Sequence, residues 1–325
     1  GNWTTASKMG MKFEDLDADG IKDPGEPGLP DWTIFVDYND NGVLDTDDQL
    51  GPEPFAVTGA DGSYTITGIV PGTWKVLEVL TGEWVQSFPA DGYWEVDFES
   101  SMEDTGNDFG NWEPASIEGY KFNDLELDGE FDGDDYGLSG WTIFVDYDGD
   151  GDLDADEPFD ETDADGYWAI DDVEPGTYWV RELDQTDWTQ SRGDFEVIFT
   201  SGGAYGAEGE YDFGNWTTTE LSGYKFEDKD ADGVWDAGEE APGIGFTVTL
   251  MGTDFLGNPV LLQTTTDPVT GYYEFTDLVP GTYTVSETVP ADWYQSYPAS
   301  DYYDVTLYSG EVPQISFDFG NWAPA

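Results

Sequence analysis

A short motif recurs along the chain and divides it into units of similar length. The pentapeptide Asp-Phe-Gly-Asn-Trp ends at residues 112, 216 and 322, and residues 1–3 repeat its Gly-Asn-Trp ending. A unit of about 105 residues is long enough to bury a core of its own. The predicted domains are therefore three full repeats at 6–114, 115–218 and 219–325, with residues 1–5 as the tail of a preceding repeat.

Within each unit, short runs of alternating apolar and polar residues are separated by turns rich in Gly, Pro and Asp. Trp32, Ile34 and Val36, for example, share one face of such a run. Alternation with period two is typical of half-buried strands, and no helical period persists anywhere. The pattern predicts an all-β chain of three tandem antiparallel β-sandwich domains with about seven strands each. An odd number of antiparallel strands places the termini of a unit at opposite poles, which predicts an end-to-end arrangement.

The charge of the chain excludes several classes of function. Of its 325 residues, 72 are acidic and 9 are basic, for a formal charge of −63, so we expect no nucleic acid partner. The absence of Cys and His removes disulfides, thiolate metal sites and the usual general base. No apolar run reaches the length of a membrane span, so we expect no membrane insertion in this segment. No acidic pair is confined to one unit, and we therefore predict that the chain is not an enzyme.

Acidic residues follow the first strand of unit 1 at a spacing that points to calcium. Counted from Asp15, oxygen-bearing side chains fall at positions 1, 3, 5, 9 and 12, and a glycine stands at position 6. This is the spacing of the twelve-residue EF-hand loop, in which alternate side chains and the position-7 carbonyl surround Ca²⁺ and glycine permits the turn. Strand-like flanks replace the helices of an EF-hand. The predicted ligands of this first loop are Asp15, Asp17, Asp19, Ile21, Asp23 and Glu26.

The same spacing recurs in four further places, so we predict several Ca²⁺ ions per chain. A second loop follows the second strand in units 1 and 2, whereas unit 3 lacks this second loop. In loop 1 of unit 2, a longer side chain at position 3 and a shorter one at position 12 predict a weaker site. The predicted ligands are Asp37, Asn39, Asn41, Asp45 and Asp48 in loop 2 of unit 1; Asp124, Glu126, Asp128, Asp132 and Asp135 in loop 1 of unit 2; Asp146, Asp148, Asp150, Asp154 and Glu157 in loop 2 of unit 2; and Asp228, Asp230, Asp232, Asp236 and Glu239 in loop 1 of unit 3.

The order of motifs in each unit resembles a known family. Gly-Tyr-Lys-Phe, or Gly-Met-Lys-Phe in unit 1, precedes the acidic loop, Pro-Gly-Thr precedes a later strand, and Asp-Phe-Gly-Asn ends the unit. This order resembles the SdrD B-like repeat, one of the wider Cna-B-like set of β-sandwich modules, over all three units. The resemblance implies a secreted or cell-surface protein in which calcium-loaded repeats form a stalk, sheath or filament and contact neighbouring repeats or protomers of the same protein.

Two alternatives remain open at this stage. Each unit repeats one Lys and one Glu, and Cna-B-like domains can form a self-catalysed Lys–Asn isopeptide bond, but Tyr120 and Phe122 beside Lys121 predict that this lysine points outward. The many aromatic residues allow an adhesin that recognises cell-surface glycan or a protein receptor. Most of them have inward parity, and Phe35 and Phe144 are predicted to face outward.

Overall fold

The regular structure of the chain consists of β-strands. A computed structural model describes residues 2–46, 50–207, 209–311 and 314–324. Within these ranges every regular element is a strand, so they contain no helix that could cross a membrane. The predicted all-β class is confirmed.

The strands follow the same order in each unit. Unit 1 contains β1 (Ala6–Glu14), β2 (Thr33–Asp37), β3 (Phe55–Val57), β4 (Ser63–Ile69), β5 (Gly72–Glu78), β6 (Val85–Phe88), β7 (Trp94–Phe98), β8 (Glu103–Thr105) and β9 (Phe109–Trp112). Unit 2 contains β10 (Ala115–Asn123), β11 (Tyr136–Gly137), β12 (Thr142–Asp146), β13 (Phe159–Glu161), β14 (Tyr167–Val173), β15 (Gly176–Glu182), β16 (Trp188–Arg192), β17 (Phe195–Phe199), β18 (Ala204–Tyr205) and β19 (Phe213–Thr217). Unit 3 contains β20 (Thr219–Glu227), β21 (Thr247–Asp254), β22 (Pro259–Thr265), β23 (Tyr272–Leu278), β24 (Gly281–Thr288), β25 (Tyr294–Tyr297), β26 (Tyr302–Leu307), β27 (Gln314–Ile315) and β28 (Phe319–Trp322).

Each unit is a sandwich of two sheets. In unit 1 one sheet has the order β4-β1-β9-β6 and the other has the order β3-β2-β5-β7, while the short β8 also pairs with β1. The same two orders return in units 2 and 3. Among the described residues, the strands longer than three residues number seven in units 1 and 2 and eight in unit 3. This agrees with the predicted sandwich of about seven strands.

The first and last strands of each unit lie side by side and run parallel. Lys12 pairs with Phe109 and Glu14 with Asn111, and β10 with β19 and β20 with β28 repeat this register. The sandwich is therefore not purely antiparallel. Because both strands run toward the same pole, the chain enters a unit at one pole and leaves it at the other. The opposite termini follow from this parallel pair and not from the number of strands.

The cores confirm most of the inward parities and correct two of the outward ones. Ile34, Val36 and their counterparts are fully buried between the two sheets. Phe35 and Phe144, predicted to face outward, are 1% and 0% exposed, so that prediction was wrong. Strands β2 and β12 are buried along both faces, and period-two parity does not separate inside from outside in such a strand.

The pole at the end of β1 is assembled by close backbone contacts. The N–H of Lys12 donates to the carbonyl of Gly62 at 2.8 Å, and the N–H of Leu29 donates to the carbonyl of Lys12 at 2.9 Å. A Cβ on Gly28 would lie 2.0 Å from the carbonyl oxygen of Asp61. The Asp61-Gly62 turn therefore sits beside the exit of the first acidic loop.

We expect Gly28→Ala to destabilise unit 1. The added Cβ collides with backbone that cannot move aside, and overpacking of this kind costs about 1–3 kcal/mol or more. Urea denaturation followed by tryptophan fluorescence measures the loss. The control is Gly59→Ala, whose Cβ would meet its nearest neighbour at an ordinary 3.4 Å. Equal stabilities of the two variants would contradict the close approach.

Candidate metal-binding loops

Five acidic loops share one backbone turn. In each loop the carboxylate at position 1 accepts a hydrogen bond from the N–H of the glycine at position 6, and that glycine has a positive φ between 76° and 85°. The residue at position 4 also has a positive φ. The predicted requirement for glycine at position 6 is therefore met by the backbone itself. The pairs are Asp15–Gly20, Asp37–Gly42, Asp124–Gly129, Asp146–Gly151 and Asp228–Gly233.

A single carboxylate closes each loop by joining its two ends. In loop 1 of unit 1, Glu26 accepts the N–H of Leu16 at 2.8 Å and the N–H of Asp23 at 3.0 Å. These are positions 2 and 9 of the loop. We name the residue that makes this pair of contacts the closing carboxylate. Asp135, Glu157 and Glu239 make the same two contacts in their loops.

The closing carboxylate of loop 2 in unit 1 is a residue that spacing alone missed. Glu53 accepts the N–H of Tyr38 and the N–H of Asp45, both at 2.8 Å, as Glu157 does in unit 2. Asp48, which spacing predicts for this role, lies outside the described residues. The signal for Glu53 is the tripeptide Glu-Pro-Phe, which ends this loop in both units after an insertion in unit 1.

Among the described residues, carboxylate oxygens converge in three of the five loops. Groups of three carboxylates with one oxygen each within 4.8 Å of the others occur in loop 1 of unit 1, loop 2 of unit 2 and loop 1 of unit 3. One of them, Asp15, is fully buried, and its Oδ1 has no hydrogen-bond partner among the described residues. A buried, unpartnered anionic oxygen facing two more carboxylates suits a cation. The groups are Asp15, Asp17 and Asp19; Asp146, Asp148 and Glu157 with Asp148, Asp150 and Asp154; and Asp228, Asp230 and Glu239 with Asp230, Asp232 and Asp236.

Mutual repulsion and burial are visible in the pKa values of these groups. Partial burial, followed by the neighbouring charge of Asp19, raises the pKa of Asp17. Burial likewise raises the pKa of Glu26 above its usual range. Keeping these carboxylates ionised therefore costs free energy, and a bound cation would offset that cost.

Loop 1 of unit 2 departs from the other loops as its sequence predicts. No trio of converging carboxylate oxygens is found within residues 124–135. Glu126 stands at position 3, and the short Asp135 closes the loop. Burial raises the pKa of Asp135 to about 6.

Neutral or basic side chains offset the negative charge of loop 2. In unit 1, Asn39 and Asn41 both donate to Asp45 at 2.8 Å. In unit 2, Arg181 donates to the buried Asp146 at 2.8 Å. In unit 3 the hairpin turn between β21 and β22 stands in place of the loop, and there Asp254 accepts hydrogen bonds from Asn258.

The remaining predicted positions lie at the loop surface. Ile21, expected to offer its carbonyl, has a side chain that is 60% exposed, and its N–H donates to Asp19. At position 5 of unit 2, Asp128 similarly accepts the N–H of position 7. Asp132 contacts the closing carboxylate through its backbone N–H. The carboxylates at position 5 are thus held by a backbone contact within the loop.

An aromatic stack, not foreseen from the sequence, anchors loop 1 in units 2 and 3. Phe131, at position 8, stacks on Phe122 with ring centroids 4.9 Å apart, and Trp235 stacks on Phe226 at 5.1 Å. In unit 1 the equivalent residue is Lys22, whose ammonium lies over the ring of Phe13. The loop is therefore fixed to a core residue of the first strand in each unit.

A second buried arrangement joins the first and last strands beside loop 1. Lys121 donates to the side-chain carbonyl of Asn215 at 2.6 Å and lies 3.3 Å from Glu182, while Asn215 Nδ2 donates to Glu182 at 2.7 Å. Lys12, Asn111 and Glu78 form the same group in unit 1, and Lys225, Asn321 and Glu287 form it in unit 3.

The three lysines are fully buried, so the expectation that Lys121 points outward was wrong. Lys121 has the parity of Ile117, which faces the sandwich core, whereas Phe122 is buried on the other face under loop 1. Burial lowers the pKa of Lys12 and of Lys225 to about 8. Burial also raises the pKa of the glutamate partners.

Unit 1 carries one further buried lysine. Lys8 is fully buried, donates to Asn107 and lies 2.7 Å from Asp104. Ile117 and Leu221 stand at this position in the other units.

Comparison with known proteins identifies the third unit. Residues 219–306 match the family model described as the SdrD B-like domain. Unit 3 is an SdrD B-like domain. The strand order and loop contacts that it shares with units 1 and 2 agree with the resemblance seen in all three.

The curated relatives are longer proteins of staphylococci. The chain is 27% identical over 303 residues to serine-aspartate repeat-containing protein D of Staphylococcus aureus, covering 86% of this chain and 22% of that protein. It is 27% identical over 295 residues to serine-aspartate repeat-containing protein F of Staphylococcus epidermidis, covering 84% of this chain and 17% of that protein. The chain thus spans about a fifth of the length of these relatives.

A solved structure with a similar strand arrangement is BcpA, the major pilin subunit of Bacillus cereus. It is 12% identical, with a TM-score of 0.40, and the match covers 99% of this chain and 100% of that one. Likeness at this level carries no inference about function.

We expect Lys225→Met to destabilise the SdrD B-like domain of unit 3 by about 3–5 kcal/mol, because it leaves Glu287 buried without its cation. Urea denaturation measures the change. The control is Lys229→Met, which removes an exposed lysine of the same domain and is expected to cost about 0.5 kcal/mol or less. A loss no larger than that of the control would contradict a structural role for the buried group.

Proposed function

We propose that this chain is part of an extracellular structural protein, a stalk, sheath or filament of the cell surface, whose β-sandwich units are stiffened by calcium. The observation that carries the proposal is the repetition of one loop conformation five times, with a closing carboxylate in every copy and converging carboxylates in three of them among the described residues. A loop conserved in geometry across five copies is more than a solvated acidic turn.

The ligand chemistry favours Ca²⁺. All the inward side chains offer hard oxygen atoms, and the chain holds neither His nor Cys for a softer metal. Six or more oxygens from one flexible loop suit Ca²⁺, whereas Mg²⁺ requires octahedral geometry and keeps its waters. The bound ion would supply positive charge to carboxylates that otherwise repel one another.

An extracellular location follows from the same chemistry and from the family resemblance. Exposed loops of this kind bind most usefully where free calcium is about 10⁻⁴–10⁻³ M, the range of extracellular modules. Neighbouring repeats or protomers of the same protein are the proposed partners.

Calorimetric titration of chelator-treated chain tests this proposal. We expect Ca²⁺ to bind at the five loops, and Glu53→Gln to weaken loop 2 of unit 1 by about ten- to a hundredfold, because the loop loses the anion that joins its ends. Glu83→Gln, which changes an exposed carboxylate outside the loops, is the matched control and is expected to bind as the unmodified chain does. The absence of calcium-specific heat up to millimolar concentration would refute the proposal.

Covalent cross-linking is a second way in which the units could be stiffened. The observation that favours it is the burial of a lysine against an asparagine carbonyl and a glutamate in all three units. A neutral lysine amine attacks the side-chain carbonyl carbon of asparagine, a C–N bond forms to Nζ, and Nδ2 leaves as ammonia. The protonated glutamate supplies the proton that the leaving nitrogen needs and recovers one from the attacking amine. The pKa directions of both groups favour these neutral forms.

Intact mass under denaturing conditions decides whether the bonds form. We expect the mass to be lower by one ammonia for each linked unit. Glu78→Gln should prevent the bond in unit 1 and so reduce the deficit by one ammonia. The exposed Glu83→Gln is the control and leaves the deficit unchanged. An unmodified mass would leave the three groups as buried ion pairs. A deficit of one further ammonia would add Lys8 and Asn107 to the linked pairs.

Recognition of glycan or a receptor is the weaker alternative. It would depend on surface aromatic residues such as the exposed Tyr120 and Phe131 and the half-buried Tyr167. The ring centroid of Tyr120 lies 5.8 Å from that of Phe131 and 5.5 Å from that of Tyr167. Phe35 and Phe144 are buried and cannot contact a glycan or a receptor.

A further inference from the structure

Neighbouring units meet through one serine in a turn. The turn after β17 holds Ser201, whose N–H donates to the carbonyl oxygen of Leu16 in unit 1 at 3.0 Å. The Oγ of Ser201 accepts the N–H of Glu113, in the connection between the units, at 2.9 Å. Ser201 therefore holds both the preceding unit and the linker. We name it, together with Ser100 after β7 and Ser309 after β26, a junction serine.

The second junction repeats these contacts. The N–H of Ser309 donates to the carbonyl oxygen of Leu125 at 3.4 Å, and its Oγ accepts the N–H of Thr217 at 2.9 Å. Ser100 accepts the N–H of Thr4 in the same way at 3.0 Å. A contact that recurs at equivalent residues of different units is a property of the repeat.

The contacted leucines belong to the acidic loops. Leu16 and Leu125 occupy position 2 of loop 1 in their units. The N–H of each donates to the closing carboxylate, Glu26 or Asp135, and the carbonyl of each accepts from the junction serine of the next unit. One residue is thus fixed on one side by its own loop and on the other side by the neighbouring unit.

We propose that each junction serine docks on position 2 of loop 1 in the preceding unit, so that an ordered loop fixes the orientation of the next unit. The inference rests on the proposed function, because calcium is the agent that would order the loop. Position 2 of unit 3 is Lys229, which is exposed, and it marks the corresponding surface for the junction serine of a further repeat of this kind.

The two junctions differ in the hydrogen bonds between protein groups that hold them, which need no bound ion. At the second junction, the fully buried Asn123 donates to the carbonyl of Ser309 at 3.0 Å and to the hydroxyl of Tyr136 at 2.8 Å, and Ser309 Oγ donates to Asn123. Unit 1 has Glu14 in place of Asn123. The junction above loop 1 of unit 2, in which no trio of carboxylates converges, therefore carries additional hydrogen bonds between protein groups.

Distances between spin labels test this docking. The chain contains no cysteine, so labels placed at Glu95→Cys and Glu196→Cys report on the first junction, and labels at Glu196→Cys and Asp304→Cys report on the second. These three residues are exposed and equivalent in the three units. With calcium we expect narrow distance distributions at both junctions. A chelator should widen the first distribution more than the second, because Asn123 continues to hold the second.

The serine variants separate docking from calcium binding. Ser201→Pro removes the N–H that donates to Leu16 and should widen only the first distribution in calcium, and Ser309→Pro, which removes the N–H that donates to Leu125, should widen only the second. Ser100→Pro removes the equivalent N–H from the turn that meets residues 1–5, and it should leave both distributions unchanged.

Calcium titration of the same samples distinguishes the possible failures. If calcium binds and neither the chelator nor the serine variants change the widths, the docking inference is wrong. If no calcium binds, the proposed function fails and the coupling fails with it, while the serine variants still decide whether the turn docks.

Discussion

The closing carboxylate is the contact on which the loops depend. A chain with 72 acidic residues must bring carboxylates together in its loops without being forced apart by their repulsion. In each of the five loops one carboxylate accepts two N–H groups from opposite ends of the loop, and the carboxylate at position 1 accepts another from the glycine. Hydrogen bonds to charged acceptors are worth about 1.5–3 kcal/mol each, so the protein itself sets the path of the loop. Among the described residues, further carboxylates then lie together at the centre of three of these loops.

Spacing in the sequence was sufficient for the parts of the structure that follow a strict count. The sandwich follows from alternation, and the loops follow from a glycine five residues after an aspartate. Even the absence of a converging carboxylate trio from residues 124–135 agrees with the chain lengths of Glu126 and Asp135. In each case a local rule of backbone geometry decides the outcome, and tertiary contacts do not change it.

The failures have physical causes that are equally specific. Glu53 was missed because an insertion moved it away from position 12, although the tripeptide Glu-Pro-Phe kept it in register with Glu157. Lys121 was assigned to the wrong face from its neighbours, when its parity with Ile117 gave the correct one. The junction serines cannot be recognised from the alternation of residues within a strand, because their partners belong to another unit. Their only trace in the sequence is a serine two residues after the last core residue of β7, β17 and β26.

The parallel pair of first and last strands brings loop 1, the lysine group and the junction to the next unit to one pole. The N–H of Asp15, the first residue of loop 1, donates to the carbonyl of Asn111 in β9, and the same bond joins Asp124 to Asn215 and Asp228 to Asn321. The side chain of that asparagine contacts the buried lysine of β1. A pull along the chain enters through β1 and leaves through the adjacent β9, so the bonds between these two strands carry it in shear before any other strand is loaded. Loop 1, the lysine group and the junction to the next unit all border this pair of strands. In a string of such units, each feature reinforces the place where tension passes from one unit to the next.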